Sequence, residues 1–236
     1  YYDHLIGAVA GSCAQLTGPD ACVLDAGCGE GTYTRAIYDA LAAKGGCPQL
    51  LGADISAEAV RRAARQVPEG IFCAASTAHL PLAAESLDLI VNIFSPLMAE
   101  EFLRVLKPGG YFITQQVGGS NNLRLRALLG NNKTAMPSFN LENELLRFKN
   151  AGFTVNFCDQ AYVTDHYLDI GALVWYAKVL PWEFGNFTVE SCLPQLDALD
   201  ALCEKQGYIP SVQHRFMLIV RNRLSLIHIS EPTRRS

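Results

Sequence analysis

The feature that most constrains the fold is a run of alternate glycines directly after a short apolar segment. Residues 23–31 read Val-Leu-Asp-Ala-Gly-Cys-Gly-Glu-Gly, so Gly27, Gly29 and Gly31 follow an acid at Asp25. A helical pattern comes next. Glycines permit positive φ and close approach of a ligand to the backbone, and the free N–H groups at a helix start attract anions. The run therefore predicts a strand, a tight turn and a helix start that bind a nucleotide-like ligand.

A second acid stands where a neighbouring strand would end. Residues 49–54 read Gln-Leu-Leu-Gly-Ala-Asp, an apolar run that closes on Asp54. A carboxylate at the end of the second strand of a nucleotide-binding sheet accepts hydrogen bonds from ribose hydroxyls. Glycines alone also serve ordinary turns, but a turn combined with this acid indicates a cofactor site. The glycine spacing differs from the G-x-G-x-x-G fingerprint, which disfavours the alternative of an NAD-dependent oxidoreductase.

Strand and helix patterns alternate through the first half of the chain. After a helix at 3–16, strands are predicted at 21–25, 49–54, 71–75, 86–93 and 110–116, and helices at 31–44, 57–67 and 97–106. The second half predicts helices at 139–150, 165–179 and 189–206, and strands at 153–163 and 211–221. Such alternation predicts an α/β fold with a doubly wound, mostly parallel sheet and helices on both faces.

Length and composition fit one enzyme-sized domain. The chain has 236 residues, of which 50% are apolar, and a formal net charge of −4. No run approaches the ~20 apolar residues of a membrane span. We expect one domain at 1–223, a cytoplasmic location, and free cysteines that form neither a zinc site nor a disulfide framework. Residues 224–236 resemble a translated sequencing adapter and are expected to be a non-native tail.

Several motifs within residues 20–118 together resemble the class I S-adenosylmethionine-dependent methyltransferases. The glycine run resembles their first motif, residues 52–56 their ribose-binding motif, and residues 80–90 their third and fourth motifs. Residues 104–110 (Arg-Val-Leu-Lys-Pro-Gly-Gly) resemble the corner before their fifth strand. The resemblance implies a Rossmann-like, seven-stranded sheet whose last strand is antiparallel beside the sixth, and S-adenosyl-L-methionine as the cofactor. Residues 165–188 would then form a small helical, aromatic cap.

One branch of that family is more similar than the others. Residues 72–77 (Phe-Cys-Ala-Ala-Ser-Thr), residues 94–101 (Phe-Ser-Pro-Leu-Met-Ala-Glu-Glu) and Tyr2 resemble the bacterial 23S rRNA guanine-N1 methyltransferases. That branch carries an N-terminal zinc-binding segment with paired cysteines, which this sequence does not contain, and the similarity ends near Gly118. We therefore carry over the cofactor site and keep the RNA substrate as an alternative.

The resemblance implies a set of cofactor contacts. Asp25 would lie near the methionine ammonium or order the turn, Asp54 would bind the ribose, and Ile55 would pack on the adenine. Ser76 and Thr77 would line the adenine edge, where many class I enzymes have Asp. The full set of expected cofactor contacts is Tyr2, Asp25, Gly27, Gly29, Glu30, Gly31, Asp54, Ile55, Ser76, Thr77 and Asn92. No metal is expected.

The candidate catalytic residues are Asn92, at the end of the fourth strand, and His166, at the start of the cap helix. Methyl transfer from a sulfonium requires alignment more than acid–base groups, so no catalytic triad is expected, and His166 is the candidate base. His214 is expected at the surface. The net acidity and the aromatic-rich cap favour a small-molecule acceptor over RNA, with no membrane contact. A non-catalytic nucleotide-binding subunit is a further alternative.

Overall fold

The computed structural model describes residues 2–129, 138–185 and 187–223, with side chains from residue 5 onward. These residues form seven strands, β1 Cys22–Ala26, β2 Gln49–Asp54, β3 Ile71–Ala74, β4 Leu87–Ile93, β5 Leu106–Val117, β6 Phe153–Tyr167 and β7 Ile209–Asn222. They lie in one sheet in the order β3-β2-β1-β4-β5-β7-β6. β1 pairs in parallel with β2 and β4, and β2 pairs in parallel with β3. The predicted doubly wound, mostly parallel sheet is confirmed.

Helices connect most of these strands. Within the described ranges they are α1 Tyr2–Leu16, α2 Thr32–Ala42, α3 Ala57–Gln66, α4 Ala99–Val105, α5 Leu123–Leu128, α6 Leu141–Ala151, α7 Ile170–Val179, α8 Pro181–Phe184 and α9 Leu193–Gln206. A 3₁₀ turn, Glu190–Cys192, precedes α9. In that part of the chain, no helix combines the length and the apolar character needed to cross a membrane.

The last strand, β7, runs against its neighbour β5. The N–H of Gly118 donates to the carbonyl of His214 at 3.0 Å, whereas the side chain of Asn222 donates to the carbonyl of Leu106 at 2.9 Å. Residue numbers therefore rise along β5 as they fall along β7, which is the antiparallel arrangement. β7 also lies between β5 and β6 in the sheet, as the resemblance implies.

The chain divides into two compact units. Among the described residues, the first comprises 2–113, 148–156 and 219–223. Its core includes the central strands β1 and β4, whose side chains are mostly buried because neighbouring strands and helices cover parallel strands on both faces. A row of aromatic rings adjoins them, with successive ring centroids 4.9, 5.0 and 5.3 Å apart along Phe102, Phe112, Phe148 and Phe153.

The second unit comprises, among the described residues, 114–129, 138–147, 157–185 and 187–218. Its apolar cluster draws on α5, α7, α8 and α9 and includes the buried residues Leu125, Leu173, Phe184 and Leu196. α5 has only six residues, a length that carries little periodic signal in a sequence. α8 begins at Pro181, because proline is tolerated in the first turn of a helix, where its missing N–H has no acceptor to lose.

Two predicted boundaries in this region are wrong. β6 continues to Tyr167, and the following helix begins at Ile170 instead of residue 165. The helix starts there because Asp169 caps it: its side chain accepts a 2.7 Å hydrogen bond from the N–H of Ala172. β5 likewise begins four residues earlier than predicted, since the Lys-Pro-Gly-Gly corner is part of the strand.

Candidate functional site

The glycine turn after β1 is held against the end of β2. The N–H groups of Gly27 and Cys28 both donate to the carbonyl of Ala53, at 2.7 and 3.1 Å. Gly27 has φ 88°, and a Cβ there would lie 2.2 Å from the hydroxyl of Ser95. An alanine at this position would therefore meet both backbone strain and a steric clash.

The middle of the turn is open. Gly29 has φ 51°, and a Cβ built on it would meet no atom within 4 Å. Gly31, by contrast, packs tightly: a Cβ added there would lie 3.0 Å from the Cα of Ala63 in α3. The turn thus uses glycine for close packing at its two ends and leaves space beside its centre.

Asp54, at the end of β2, bonds to the glycine turn directly. Its Oδ2 accepts from the N–H of Gly29 at 3.0 Å, and its Oδ1 accepts from the N–H of Ser56 at 2.9 Å. A carboxylate has about four lone-pair sites, so each oxygen retains capacity for one further donor. The two features singled out in the sequence, the turn and the acid, therefore lie within hydrogen-bonding distance of each other.

Asp25 is buried beneath the turn. Its Oδ2 accepts a 2.6 Å hydrogen bond from the hydroxyl of Thr34 in α2. Burial raises the pKa of Asp25 to about 6, against the lowering effect of the Thr34 hydrogen bond, and the charge of Asp54 adds to the rise. Because Asp25 is 2% exposed, it supports the turn from below.

The predicted adenine contacts follow the carboxyl ends of β2 and β3. Ile55, directly after Asp54, is 84% exposed. The Ser76 hydroxyl accepts from the N–H of Ala78 at 3.2 Å, and Thr77 is buried. The β3 end is tied to β2 by a 2.9 Å hydrogen bond from Ala75 N–H to the carbonyl of Asp54.

Two further predicted cofactor contacts are Glu30 and Tyr2. Glu30 forms an ion pair with Arg62 of α3 at 2.7 Å, and both side chains are more than half exposed. The Tyr2 side chain lies outside the described residues, as do residues 224–236, so the interpretation of that segment as a non-native tail stays a prediction.

Asn92 is fully buried in β4 and ties two loops together. Its Nδ2 donates to the carbonyl of Ala26 at 2.9 Å and to that of Pro96 at 3.3 Å. An amide group with both N–H bonds used on backbone carbonyls is suited to holding the ends of β1 and β4 in place. We therefore interpret Asn92 as a positioning residue for the turn.

His166 belongs to the second unit and lies in β6, not at the start of a helix as predicted. Its side chain is exposed, and its ring lies 4.0 Å from the ring of Tyr208, centroid to centroid. The backbone N–H of His166 donates to the Asp165 carboxylate at 2.9 Å. Its role as a base stays a prediction.

The expectation of a surface position for His214 is wrong. The residue is 1% exposed, its ring stacks on Tyr162 at 4.5 Å between centroids, and its Nε2 lies 3.2 Å from Gln160 Oε1. Burial lowers the pKa of His214. The Tyr and Gln partners come from a different strand, so alternation along β7 alone could not reveal them.

Sequence reasoning also missed a buried polar network in the second unit. Glu183 accepts hydrogen bonds from the amides of Asn121 and Asn122 at 2.7 and 2.8 Å, and Asn121 Oδ1 accepts from Arg215 at 2.7 Å. Burial raises the pKa of Glu183. The asparagines stand about sixty positions from Glu183, and no local pattern in the sequence marks them.

The predicted aromatic cap is only partly exposed. Trp175 and Trp182 are 66% and 67% exposed, whereas Phe184 is buried in the apolar cluster of the second unit. Phe187 packs against the same cluster. Two indole rings are therefore accessible, and the phenylalanines serve packing.

Thiol chemistry is disfavoured at the turn. All eight cysteines are free, and burial raises the pKa of Cys28 to about 12, which keeps that thiol protonated near neutral pH. The groups that remain able to bind a ligand here are the open side of Gly29, the Asp54 carboxylate and the exposed face of Ile55. They fit an adenosine with two ribose hydroxyls and a flat base.

Comparisons with known proteins agree with this geometry. Residues 23–110 match the family model described as a methyltransferase domain. A Streptomyces fradiae protein named 23S rRNA (guanine(748)-N(1))-methyltransferase is 33% identical over 113 residues, which are 47% of this chain and 39% of that protein. A Micromonospora griseorubida protein, provisionally named a 23S rRNA guanine-N1 methyltransferase, is 40% identical over 89 residues, 37% of this chain and 29% of that protein. The chain spans between 29% and 55% of the length of the curated relatives that it matches.

Solved structures share the fold over almost the whole chain. The YcgJ protein from Bacillus subtilis superposes with a TM-score of 0.65 at 17% sequence identity, covering 93% of this chain and 99% of that one. At this level of identity the likeness concerns the fold alone.

Proposed function

We propose that this chain transfers a methyl group from S-adenosyl-L-methionine to a small-molecule acceptor, because residues 23–110 match the model described as a methyltransferase domain and the seven strands form a doubly wound, mostly parallel sheet. The observation that carries this proposal is the pair of hydrogen bonds from Gly29 and Ser56 to the Asp54 carboxylate. They place an acid with unused acceptor capacity beside the open centre of the glycine turn.

We assign the cofactor to the turn and its neighbours. Asp54 would accept the ribose hydroxyls, and the exposed Ile55 would cover one face of the adenine. Ser76 and Thr77 would lie along the adenine edge. The free space at Gly29 would admit the methionine part. Gly27, Gly31, Glu30 and Tyr2 complete the proposed set of contacts.

Two buried side chains would keep this site in shape. Asp25, bonded to Thr34, would hold the turn from below. Asn92, bonded to the carbonyls of Ala26 and Pro96, would fix the loop that follows β4 relative to the turn. In open α/β sheets, ligands bind outside the carboxyl ends of the strands, which is where these loops lie.

The cofactor supplies a methyl group on a positively charged sulfur, an activated leaving group. The protein's contribution is then alignment of the acceptor and exclusion of water. Alignment requires groups held in fixed positions, and the buried Asn92 amide is held by hydrogen bonds to two backbone carbonyls. His166 is retained as the candidate base for an acceptor that must lose a proton.

A small acceptor is favoured by charge and by exposed aromatic rings. The formal net charge is −4, and binding to a nucleic acid gains most of its affinity from clustered Lys and Arg. Trp175 and Trp182 offer exposed flat surfaces in the second unit. The second candidate is methylation of guanine N1 in 23S rRNA, which is supported by the names of the sequence relatives.

The test is transfer of a labelled methyl group. Purified protein and radiolabelled S-adenosyl-L-methionine are incubated with the metabolite fraction of a cell extract in one reaction and with its rRNA fraction in another. Label in a metabolite, lost in the Asp54→Ala variant, is the expected result. Label in rRNA would overturn the small-molecule assignment in favour of the second candidate. Cofactor binding without transfer to either fraction would favour a non-catalytic subunit.

A further inference from the structure

A concave surface lies at the end of the central strands opposite the glycine turn. It is a cavity of about 550 Å³ lined by the loop before β1, the start of β4, the first residues of β5 and Arg221 of β7. The glycine turn follows the carboxyl end of β1, so the five residues of β1 separate the two sites by about 16 Å at the usual rise per residue. Cavities of this size accommodate small organic molecules.

Arg221 gives the cavity a chemical preference. Its Nε donates to the carbonyl of Gly109 at 2.9 Å, and its guanidinium carbon lies 5.2 Å from the centroid of the Tyr111 ring. These two contacts fix the plane of the guanidinium. Across residues 2–129, 138–185 and 187–223, neither of its terminal nitrogens has an acceptor and no carboxylate forms an ion pair with it.

The other charged groups of the cavity are already engaged. Lys107 Nζ bonds to both oxygens of Asp88 at 2.8 and 2.9 Å, which neutralises that pair. Asp20 accepts a 2.8 Å hydrogen bond from the backbone N–H of Cys47, a neutral donor. The guanidinium of Arg221 is therefore the cation that a ligand in this cavity can bind, and Asp20 lies in the same wall.

The lining of the cavity favours one kind of anion. A guanidinium fork binds a carboxylate or a phosphate with two parallel hydrogen bonds. Inorganic phosphate has no apolar surface for the rest of the cavity wall to contact, whereas a carboxylate on a hydrocarbon body has one. Pro19, Pro108 and Tyr111 also line the cavity, and their apolar surfaces suit a compact hydrocarbon or aromatic body.

We propose that this cavity is a second ligand site, separate from the glycine turn, that binds a small monocarboxylate through the terminal nitrogens of Arg221. The carboxylate lies on the guanidinium fork, and the apolar part of the ligand lies against Pro19 and Pro108. The proposal uses no property of the methyltransferase reaction and stands independently of it.

The experiment titrates benzoate into the full chain and follows backbone amide resonances by NMR. The expected result is saturable shifts at residues 18, 20 and 21 and at residues 107 and 109–111, since Pro19 and Pro108 have no amide proton, with none at residues 27–31 or at Asp54. Benzamide, the neutral analogue, and inorganic phosphate are titrated in parallel and are expected to bind at least tenfold more weakly. Equal binding of benzamide, or stronger binding of phosphate, would overturn the proposal.

Two variants provide the control. Arg221→Lys keeps the positive charge but removes the planar fork, and it is expected to weaken benzoate binding at least tenfold. Arg223→Gln removes an exposed arginine two residues later and is expected to leave binding unchanged. Equal loss of benzoate affinity in both variants, or chemical-shift changes confined to the glycine turn in the wild-type protein, would contradict the site. If Arg221→Lys unfolds, the chemical-shift changes of the wild-type protein still test the proposal.

Discussion

The two compact units each bury a carboxyl group, but its partners come from very different distances along the chain. Asp25 in the first unit is bonded to Thr34, only nine positions later. Glu183 in the second unit is bonded to Asn121 and Asn122, which precede it by 62 and 61 positions. In both cases burial raises the pKa of the carboxyl group.

This difference separates a local motif from a tertiary network. Asp25, Thr34 and the glycine turn form one continuous strand–turn–helix segment, and Asp54 joins it from the next strand. The Glu183 network instead joins α8 to the loop before α5 and to β7, so its contacts exist only in the folded unit. We expect the first arrangement to govern ligand binding and the second to govern stability.

The largest expected effect is that of Glu183→Ala. The substitution leaves two buried amides without their acceptor and Arg215 without a nearby buried negative charge, so the free energy of unfolding should fall by about 3–5 kcal/mol. Urea unfolding followed by circular dichroism measures it. Glu190→Ala, an exposed acid of the same unit, is the control and should show no change.

Glu183→Ala also separates the role in stability from the role in ligand binding. Where the variant is folded, its affinity for S-adenosylhomocysteine should equal that of the wild type, since every proposed cofactor contact lies in the first unit. If the variant were as stable as Glu190→Ala, the network would not contribute to stability.

The second prediction concerns pH. The native pKa of Asp25 is about 6, above its ordinary value of 3.8, so the native state binds the proton more tightly than the unfolded state. The contribution of Asp25 to stability is therefore best below pH 4 and falls as pH rises towards 6, by about 3 kcal/mol in all. Comparing the unfolding free energy of the wild type with that of Asp25→Asn between pH 4 and 7 measures this loss.

Asp39 supplies the control of opposite sign. Arg35 lowers the pKa of this exposed carboxyl group by a hydrogen bond, so its small contribution is present at neutral pH and is lost as pH falls. Asp39→Asn should therefore leave the fall in stability between pH 4 and 6 in place. Identical pH profiles for the wild type and Asp25→Asn would contradict the buried position of Asp25.

The third prediction addresses ligand binding in the first unit. Asp54→Ala removes the acceptor of the Gly29 and Ser56 N–H groups and of the proposed ribose hydroxyls. Binding of S-adenosylhomocysteine should weaken by about 1–3 kcal/mol, as expected for charge-assisted hydrogen bonds. Calorimetry measures the Kd, with Glu69→Ala as an exposed control. A Kd equal to that of the wild type would show that Asp54 does not contact the cofactor.

The smallest expected effect is that of Arg62→Gln. Its ion pairs with Glu30 and Glu58 are exposed, and solvent screens such pairs, so the free energy of unfolding should not change measurably.

Glu30→Ala tests whether Glu30 contacts the cofactor. Its Kd for S-adenosylhomocysteine is measured by calorimetry and compared with the Kd of Arg62→Gln, which removes the same ion pair. Equal Kd values for the two variants would exclude a contact between Glu30 and the cofactor.

The first unit was largely predictable from the sequence because its signals are local. Short apolar runs located the central strands, and the glycines located the turn beside Asp54. The resemblance added the antiparallel position of β7, which the pattern of residues could not supply.

The second unit was less predictable for the same physical reason. The start of α7 depends on the cap formed by Asp169, whereas the apolar pattern suggested an earlier residue. The burial of His214 depends on residues of another strand, and the network of Glu183 depends on residues far away in the sequence. The bonding of Asn92 to Ala26 and Pro96 is also tertiary, so its place at the end of the fourth strand could not reveal these contacts, and its catalytic role stays a prediction.

The most direct test of the central claim is a calorimetric titration of the wild-type protein with S-adenosylhomocysteine and, separately, with NAD. If the glycine turn and Asp54 form the proposed site, S-adenosylhomocysteine binds with one-to-one stoichiometry and NAD gives no measurable heat. Binding of NAD without binding of S-adenosylhomocysteine would contradict the account.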